Sequence, residues 1–465
     1  MAEGIGSYDL VVFGGGSGGY ACALRAAELG KRVALIEKDK VGGTCLHRGC
    51  IPTKALLHAA EIADQARESE KFGIKTTFEG VQMPGVLSYQ ESVVDRLWKG
   101  LQSTIASRKI DTIIGDGRLV SPTSVRVNGT VYEADHVVLA TGSEPRSLPG
   151  LDIDGTRVIT SDDALRLDRV PSSVIVLGGG VIGVEFASVW RSFGADVTIV
   201  EMLPQLLPLE DESSAKALQR MFRRRGISFQ LNTMFESVKH SDAGVTVTLA
   251  GGKTLEAELL LVAVGRGPVS SGLGYEENGV ALDRGHVVVD ALCRTNVPTI
   301  SAVGDLIATP QLAHVGFAEG ILVAERVSGL PVTPIDYDGV PRITYSDPEV
   351  ASVGLTSAQV AERLLEVVEV NYPLGANGRS VILQTQGAAK VIAEAGSDGS
   401  GPGRVLGVHL VGSRVGELIA EGQLIYNWDA EPSDVAKLIH PHPTQSEIIG
   451  EAHLALAGKP LHFHA

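Results

Sequence analysis

Apolar positions along the chain repeat one pattern twice. The run Leu10–Phe13 leads into a glycine-rich turn, the turn into apolar residues at helical spacing, and these into a second apolar run, Val33–Ile36, that ends on Glu37. That order predicts strand, turn, helix and strand. Residues 174–202 repeat residues 10–38 at a constant offset of 164, so that Gly14, Gly16, Gly19, Gly30 and Glu37 fall on Gly178, Gly180, Gly183, Gly194 and Glu201. Between the two copies, Leu97, Leu101 and Ile105 follow a helical spacing and read as core positions.

The glycine spacing has a chemical reading. The first glycine of each trio permits a tight turn, the second lets backbone approach a pyrophosphate, and the third lets helix pack closely on strand. An acid about 20 residues on accepts from a ribose hydroxyl. Glu37 and Glu201 each stand 23 residues after the first glycine of their trio. A single trio is often no more than a strand–helix turn. Two complete copies predict two dinucleotide-binding units and an α/β fold. A carboxylate at position 201 would repel a 2′-phosphate, which favours NAD over NADP.

Composition narrows the class. The length, 465 residues, has room for about three domains. Forty basic against 55 acidic side chains give a net charge of −15, which argues against nucleic acid or an anionic membrane surface as the main partner. A hydrophobic fraction of 44% supports large cores rather than disorder. Four cysteines are too few for a disulfide-stapled secreted scaffold. No apolar run approaches the ~20 residues of a membrane span. The start, MAEGIGSYDLVV, runs into a strand without the basic segment and cleavage site of a secretory leader. These readings lead to the expectation of a cytoplasmic protein in a reducing compartment.

The segment GGTCLHRGCIPTK (42–54) holds Cys45 and Cys50 with four residues between them. In a regular helix their Cα atoms would lie about 8–9 Å apart, beyond the ~4.4–6.8 Å that a disulfide spans. A bridge therefore requires a distorted turn, which Gly42, Gly43, Gly49 and Pro52 would allow or impose. Two readings stand at this point: a redox-active pair, or two reduced cysteines near a turn. Cys22 lies on the apolar face of the first helix and reads as core, and Cys293 has no cysteine near it in sequence. His440 and His442, with His462 and His464 near the end of the chain, lack further ligands at metal-binding spacing, so no metal is expected.

Beyond these residues the chain resembles the FAD-dependent pyridine nucleotide–disulfide oxidoreductases over nearly its whole length. The resemblance rests on GGGSGGY (14–20), GGTCLHRGCIPTKALL (42–57), LATGSEP (139–145), GGGVIGVEF (178–186), VEMLPQLLP (200–208), AVGR (263–266), TNVPTISAVGD (295–305), LAH (312–314), YSDPEVASVGLT (345–356) and HPTQSE (442–447). It implies two Rossmann-like domains and a C-terminal α+β dimerisation domain. Residues 1–145 would form the first part of the FAD domain, 146–264 the NAD domain, 265–335 the returning FAD or central segment, and 336–465 the dimerisation domain.

By the same resemblance, FAD would lie on Gly14, Gly16, Gly19 and Glu37, with Lys54, Gly117, Thr141, Gly142, Ser161, Asp305 and Ala313 along its length. NAD would lie on Gly178, Gly180, Gly183 and Glu201, with Val238, Gly265 and Arg266. Cys50 would face the flavin, Cys45 would exchange with substrate, Lys54 would pair with Glu185, and His442 would act as base with Glu447 orienting it. The Cys–His–acid logic is that of a neutral imidazole accepting a thiol proton while a carboxylate fixes its tautomer. The implied activity is oxidation of protein-bound dihydrolipoamide to lipoamide by NAD⁺ in a homodimer whose His442 serves the neighbour's cysteines. The donor would be the lipoyl-bearing acyltransferase of a 2-oxo-acid dehydrogenase complex or a glycine-cleavage carrier.

Two departures stand out. His47 and Arg48 replace an Asn-Val common between the cysteines, adding positive charge expected to lower thiol pKa and raise redox potential. Gly267 stands where relatives often carry a bulky or basic residue. Sister activities fit less well. A glutathione-type reductase would be expected to have basic residues where Glu201 stands. A mercuric-type reductase would be expected to end in a cysteine pair, which the tail LHFHA lacks, and a transhydrogenase would lack one redox cysteine. A non-catalytic flavoprotein scaffold would not need Cys45, Cys50, His442 and Glu447 together.

Overall fold

The structure, a computed structural model, describes residues 7–242, 244–396 and 401–462. The leader reading at residues 1–6, part of the 397–404 segment and His464 lie outside the described residues.

The two copies of the repeat fold into two parallel sheets whose first four strands follow the same order. In the first, Asp111–Ile114, Val33–Glu37, Tyr8–Phe13, Thr130–Leu139 and Ile300–Ala302 lie side by side. In the second, the order is Ser228–Gln230, Asp196–Val200, Ser173–Leu177, Leu259–Val262 and Val158–Ile159. Ile300–Ala302 returns to the first sheet after the second is complete, so the second unit is inserted into the first. The central strands are buried on both faces, which explains why they read as unbroken apolar runs: Leu10, Val11, Val12 and Val176 are fully buried. Cys22 is in the first core and Cys293 is buried beside it.

A third sheet, wholly antiparallel, follows in the order Arg342–Thr344, Glu349–Gly354, Val405–Gly412, Ala388–Glu394 and Val367–Pro373. Helices Val415–Asn427 and Glu447–Leu456 pack on it around Val408, Leu410, Ile419 and Ile449. The 395–404 segment joins two adjacent antiparallel strands of this sheet.

One core expectation needs correction. The long helix Met83–Ser107 reaches one core at Met83 and another near its C-terminal end, but not along the whole Leu97, Leu101, Ile105 stripe. Ile105 is buried and Leu101 packs against the core, whereas Leu97 is 45% exposed on this chain.

Candidate functional site

The two glycine turns are built alike, and each glycine does a different job. A Cβ on Gly14 would stand 2.1 Å from the Ala140 carbonyl oxygen, and one on Gly19 would stand 1.8 Å from that of Gly14. The corresponding distances are 2.3 Å from Ala263 for Gly178 and 2.0 Å from Gly178 for Gly183. The middle glycines differ. A Cβ on Gly16 would find nothing nearer than Gly43 Cα at 4.0 Å, and one on Gly180 nothing within 4 Å. The outer glycines are thus demanded by packing, while the middle ones open the start of helices Ser17–Glu28 and Val181–Phe193 to an anionic group.

Each acid closes its own turn. Glu37 accepts from Gly15 N–H at 2.8 Å and Asp39 N–H at 2.9 Å. Glu201 accepts from Gly179 N–H at 2.6 Å and Leu203 N–H at 2.8 Å. Each carboxylate oxygen keeps acceptor capacity for a ribose hydroxyl. The residues present therefore fit one dinucleotide on each turn.

The cysteines lie where one helix ends and another begins. Helix Gly43–Arg48 stops at Gly49, and Cys50 opens helix Cys50–Arg67. This break supplies the distorted turn that the spacing demands. The two sulfurs are not bridged and lie within hydrogen-bond reach of each other. That bond, outweighing burial and assisted by Lys54, lowers Cys50 to about 7. The thiol of Cys45, which donates the bond and is buried, is pushed up. These directions favour Cys50 over Cys45 as the more acidic thiol of the pair, at a helix start that favours negative charge.

His47 Nε2 lies 3.0 Å from the Val41 carbonyl oxygen and its ring stands edge-on to Trp98. Among the principal influences on Cys50 the stabilising cation is Lys54. Lys54 Nζ donates to both oxygens of Glu185 at 2.8 Å and lies over the Tyr345 ring. Glu185, only 3% exposed, also accepts from Tyr345 N–H at 2.9 Å. Burial opposes the Lys54 charge, but Glu185 outweighs it and the ammonium is held above its ordinary range.

Arg266 ties these parts together. Its guanidinium donates to Ser143 Oγ at 2.8 Å, to the Ser143 carbonyl at 2.7 Å and to Thr44, the neighbour of Cys45, at 3.4 Å. Ser143 Oγ donates onward to Asp305 at 2.5 Å. The turn carrying Asp305 is fixed from behind, because Gly304 N–H donates to the buried carboxylate of Glu319 at 2.6 Å. Thr141 donates to the Val269 carbonyl, and Gly142 accepts from Val269 N–H. Buried Ser161 opens a short helix, and Ala313 opens helix Ala313–Val327.

Gly117 lies against Phe13, where a Cβ would come within 2.6 Å of the ring. Val238 packs on an apolar cluster beside the second sheet. Gly265 has φ +111° and open space around its Cα. Ser143, Thr44, Glu319 and Tyr345 escaped the sequence reading, because each acts through a partner distant in the chain.

The C-terminal constellation stands apart. His442 Nδ1 lies 2.8 Å from Glu447 Oε1, and Thr444 N–H donates to the other oxygen at 2.8 Å. Burial pushes Glu447 up, but these bonds prevail and hold it below its usual range. An ionised carboxylate only accepts, so Nδ1 donates to Glu447 and Nε2 is the ring nitrogen left outside this bond. The His442 side chain is 76% exposed. Among the described residues, no hydrogen bond joins it to either cysteine. His440 pairs instead with Glu421 at 2.7 Å, and His462 with Glu451 at 2.8 Å.

Comparison with known proteins agrees with this architecture. The pyridine nucleotide-disulphide oxidoreductase family matches residues 8–320, and its dimerisation domain matches residues 340–453. A dihydrolipoyl dehydrogenase of Bacillus subtilis is 40% identical, over 98% of this chain and 99% of its own. A mitochondrial dihydrolipoyl dehydrogenase of Pisum sativum is 38% identical, over 99% and 94%. The crystal structure of LpdA from Mycobacterium tuberculosis superposes with a TM-score of 0.89 at 28% identity, covering 96% of this chain and 99% of that one. The chain belongs to the pyridine nucleotide-disulphide oxidoreductase family.

Proposed function

We propose that the chain oxidises dihydrolipoyl groups to lipoyl disulfides with NAD⁺, through the Cys45–Cys50 couple and FAD. The observation that carries this reading is the polarised dithiol, with Cys50 as the more acidic thiol and Cys45 as its hydrogen-bond donor, beside a buried Lys54–Glu185 pair and two glycine–acid turns.

In the oxidised enzyme Cys45 and Cys50 share a disulfide. His442 Nε2 takes the proton from one substrate thiol, and the resulting thiolate attacks Cys45 Sγ. The Cys45–Cys50 bond breaks and Cys50 leaves as the thiolate that its surroundings favour. The second substrate thiol then attacks the substrate sulfur held by Cys45, closing the lipoyl disulfide, and its proton passes to the departing Cys45 sulfur, which leaves as a thiol. Glu447 fixes the His442 tautomer and steadies the imidazolium. FAD, when bound, supplies the two-electron transfer from Cys50 to NAD⁺. The first turn, with Glu37, Asp305, Thr141 and Ala313, holds FAD; the second, with Glu201, Val238 and Gly265, holds NAD, while Arg266 anchors the junction between them.

The domain division at 145, 264 and 335 follows from this assignment, and residues 336–465 pair two chains. The exposed imidazole of His442 then serves the cysteines of the partner subunit. A lipoyl-bearing acyltransferase or a glycine-cleavage carrier is the proposed donor, and the cytoplasm the proposed compartment. No helix among the described residues is long and apolar enough to cross a membrane. NADH-linked turnover of free lipoamide and of glutathione disulfide tests the reading. Lipoamide should be strongly preferred; equal or faster reduction of glutathione disulfide would overturn it.

A further inference from the structure

The C-terminal sheet carries one line of polar side chains. Arg342 lies opposite Ser352, Ser352 opposite His409, and His409 opposite Lys390. Directly opposed residues share a face, so these four cross four strands in a single row. Ser352, His409 and Lys390 are buried.

The row grips the segment that follows Glu201. Arg342 Nε donates to Glu210 at 3.2 Å, and Lys390 Nζ donates to the two oxygens of Asp211 at 3.2 and 3.1 Å. Ser357 N–H, from the same domain, donates to Asp211 at 3.0 Å. Asp211 also caps helix Glu212–Arg224 through Ser213 N–H at 2.9 Å. At its other end the segment is tied to the second glycine turn. Leu203 N–H donates to Glu201, Leu207 N–H donates to the Gly179 carbonyl at 2.8 Å, and Glu210 N–H donates to the Leu207 carbonyl at 2.9 Å. An unbroken set of bonds therefore runs from the sheet of the C-terminal domain to the turn and its acid.

Stability alone does not account for this junction. Arg342 Nη2, Ser352 Oγ, His409 Nδ1 and Glu210 Oε2 are buried without a hydrogen-bond partner among the described residues. Well-packed apolar residues would hold two surfaces together at least as firmly as buried ion pairs. Ion pairs, by contrast, specify one register and one orientation.

We propose that Lys390 and Arg342 are positioning residues for the pyridine nucleotide. By holding Asp211 and Glu210 they keep residues 203–211 seated against the Gly178–Gly183 turn and set the fit of the coenzyme at Glu201. The proposal rests on the reading that this turn binds NAD. It gives the C-terminal domain a second task, on the coenzyme side of its own chain.

The test uses the FAD-loaded dimer and compares Lys390→Met, Lys390→Arg, Arg342→Met and Glu201→Gln. NAD⁺ affinity is read by calorimetry, hydrogen exchange is read over residues 203–211, and KM is measured for NAD⁺ and for dihydrolipoamide. Lys390→Met should weaken NAD⁺ about fivefold or more and speed exchange in the segment, while the dihydrolipoamide KM stays within about twofold. Lys390→Arg should restore most of the loss. If Glu201→Gln weakens NAD⁺ but Lys390→Met binds it as the wild type does, the clamp is overturned and the site reading stands. If Glu201→Gln binds NAD⁺ normally, the site reading itself fails and the clamp with it. Equal loss toward both substrates would mark general damage and also overturn the proposal. Should Lys390→Met not assemble, Arg342→Met decides on the same measurements.

Discussion

Replacing Lys54 by methionine isolates the electrostatics beneath the cysteines. Glu185, almost fully buried, accepts three hydrogen bonds: two from Lys54 Nζ at 2.8 Å and one from Tyr345 N–H at 2.9 Å. Lys54→Met removes the cation and leaves the backbone bond alone. Breaking a buried ion pair from one side typically costs ~3–5 kcal/mol. The Lys54 side chain is 31% exposed, so water reaches one edge of the pair, and ~2–4 kcal/mol is the fitting range after screening. Spread over a cooperative unit of 150–250 residues, that loss lowers the melting midpoint by about 4–16 °C.

The loss has a defined pH signature. In the variant the Glu185 carboxylate is left buried without its cation, which disfavours its charged form. A carboxyl raised on folding destabilises fully above its folded value, and the penalty fades as pH falls through it. The gap between wild type and Lys54→Met should therefore be widest at pH 8 and narrow toward pH 5. Adding Glu185→Gln should recover much of the gap at pH 8. Melting followed by flavin fluorescence measures all of this. A gap independent of pH and untouched by Glu185→Gln would refute the argument.

Three further outcomes follow from the site. In the reduced holoenzyme, the long-wavelength thiolate–flavin absorption should fade as pH drops through about 7. Cys50→Ser should abolish it, while Cys45→Ser, whose hydroxyl can still donate to the Cys50 thiolate, should keep it; a band surviving in Cys50→Ser would reverse the assignment. Glu201→Gln should raise NADP turnover and lower NAD turnover, changing their ratio by about tenfold or more; an unchanged ratio would acquit Glu201 of coenzyme choice. Removing a general base typically costs ~10²–10⁴ in rate, so Cys45→Ser and His442→Gln homodimers should both be nearly inactive, yet refolding them together should restore activity, with one intact site per hybrid dimer. FAD-loaded dimers that stay inactive would exclude a shared site.

What the sequence made legible was local. Each glycine trio and its acid lie within one strand–helix–strand unit, so spacing alone located them. The break at Gly49 was legible because two cysteines five positions apart do not meet on a regular helix. What escaped depends on partners far along the chain. Tyr345 meets Glu185 across 160 positions and Arg266 meets Thr44 across 222, while the Lys54–Glu185 pair, 131 positions apart, was expected from the family resemblance and not from spacing. Local charge suggested His47 and Arg48 as the cations acting on the thiols, but His47 turns toward Val41, and Lys54, one helical turn beyond Cys50, lies closer in effect. Leu97 shows the limit of periodicity: a stripe gives a helix face but not how far the core extends along it.

Each acid that meets a ribose on the proposed reading also ties the loop that carries it. Glu201 is bonded to the backbone on both sides of the turn, and Glu37 repeats the arrangement. Selectivity and scaffold are therefore the same atoms. A coenzyme switch made at this position alone would surrender loop order along with the old preference. Inheritance acts on the two properties jointly, and a productive change of coenzyme requires a compensating substitution that supplies a new acceptor to the Gly179 and Leu203 N–H groups. Substitutions at 201 alone should yield indifferent enzymes rather than reversed ones.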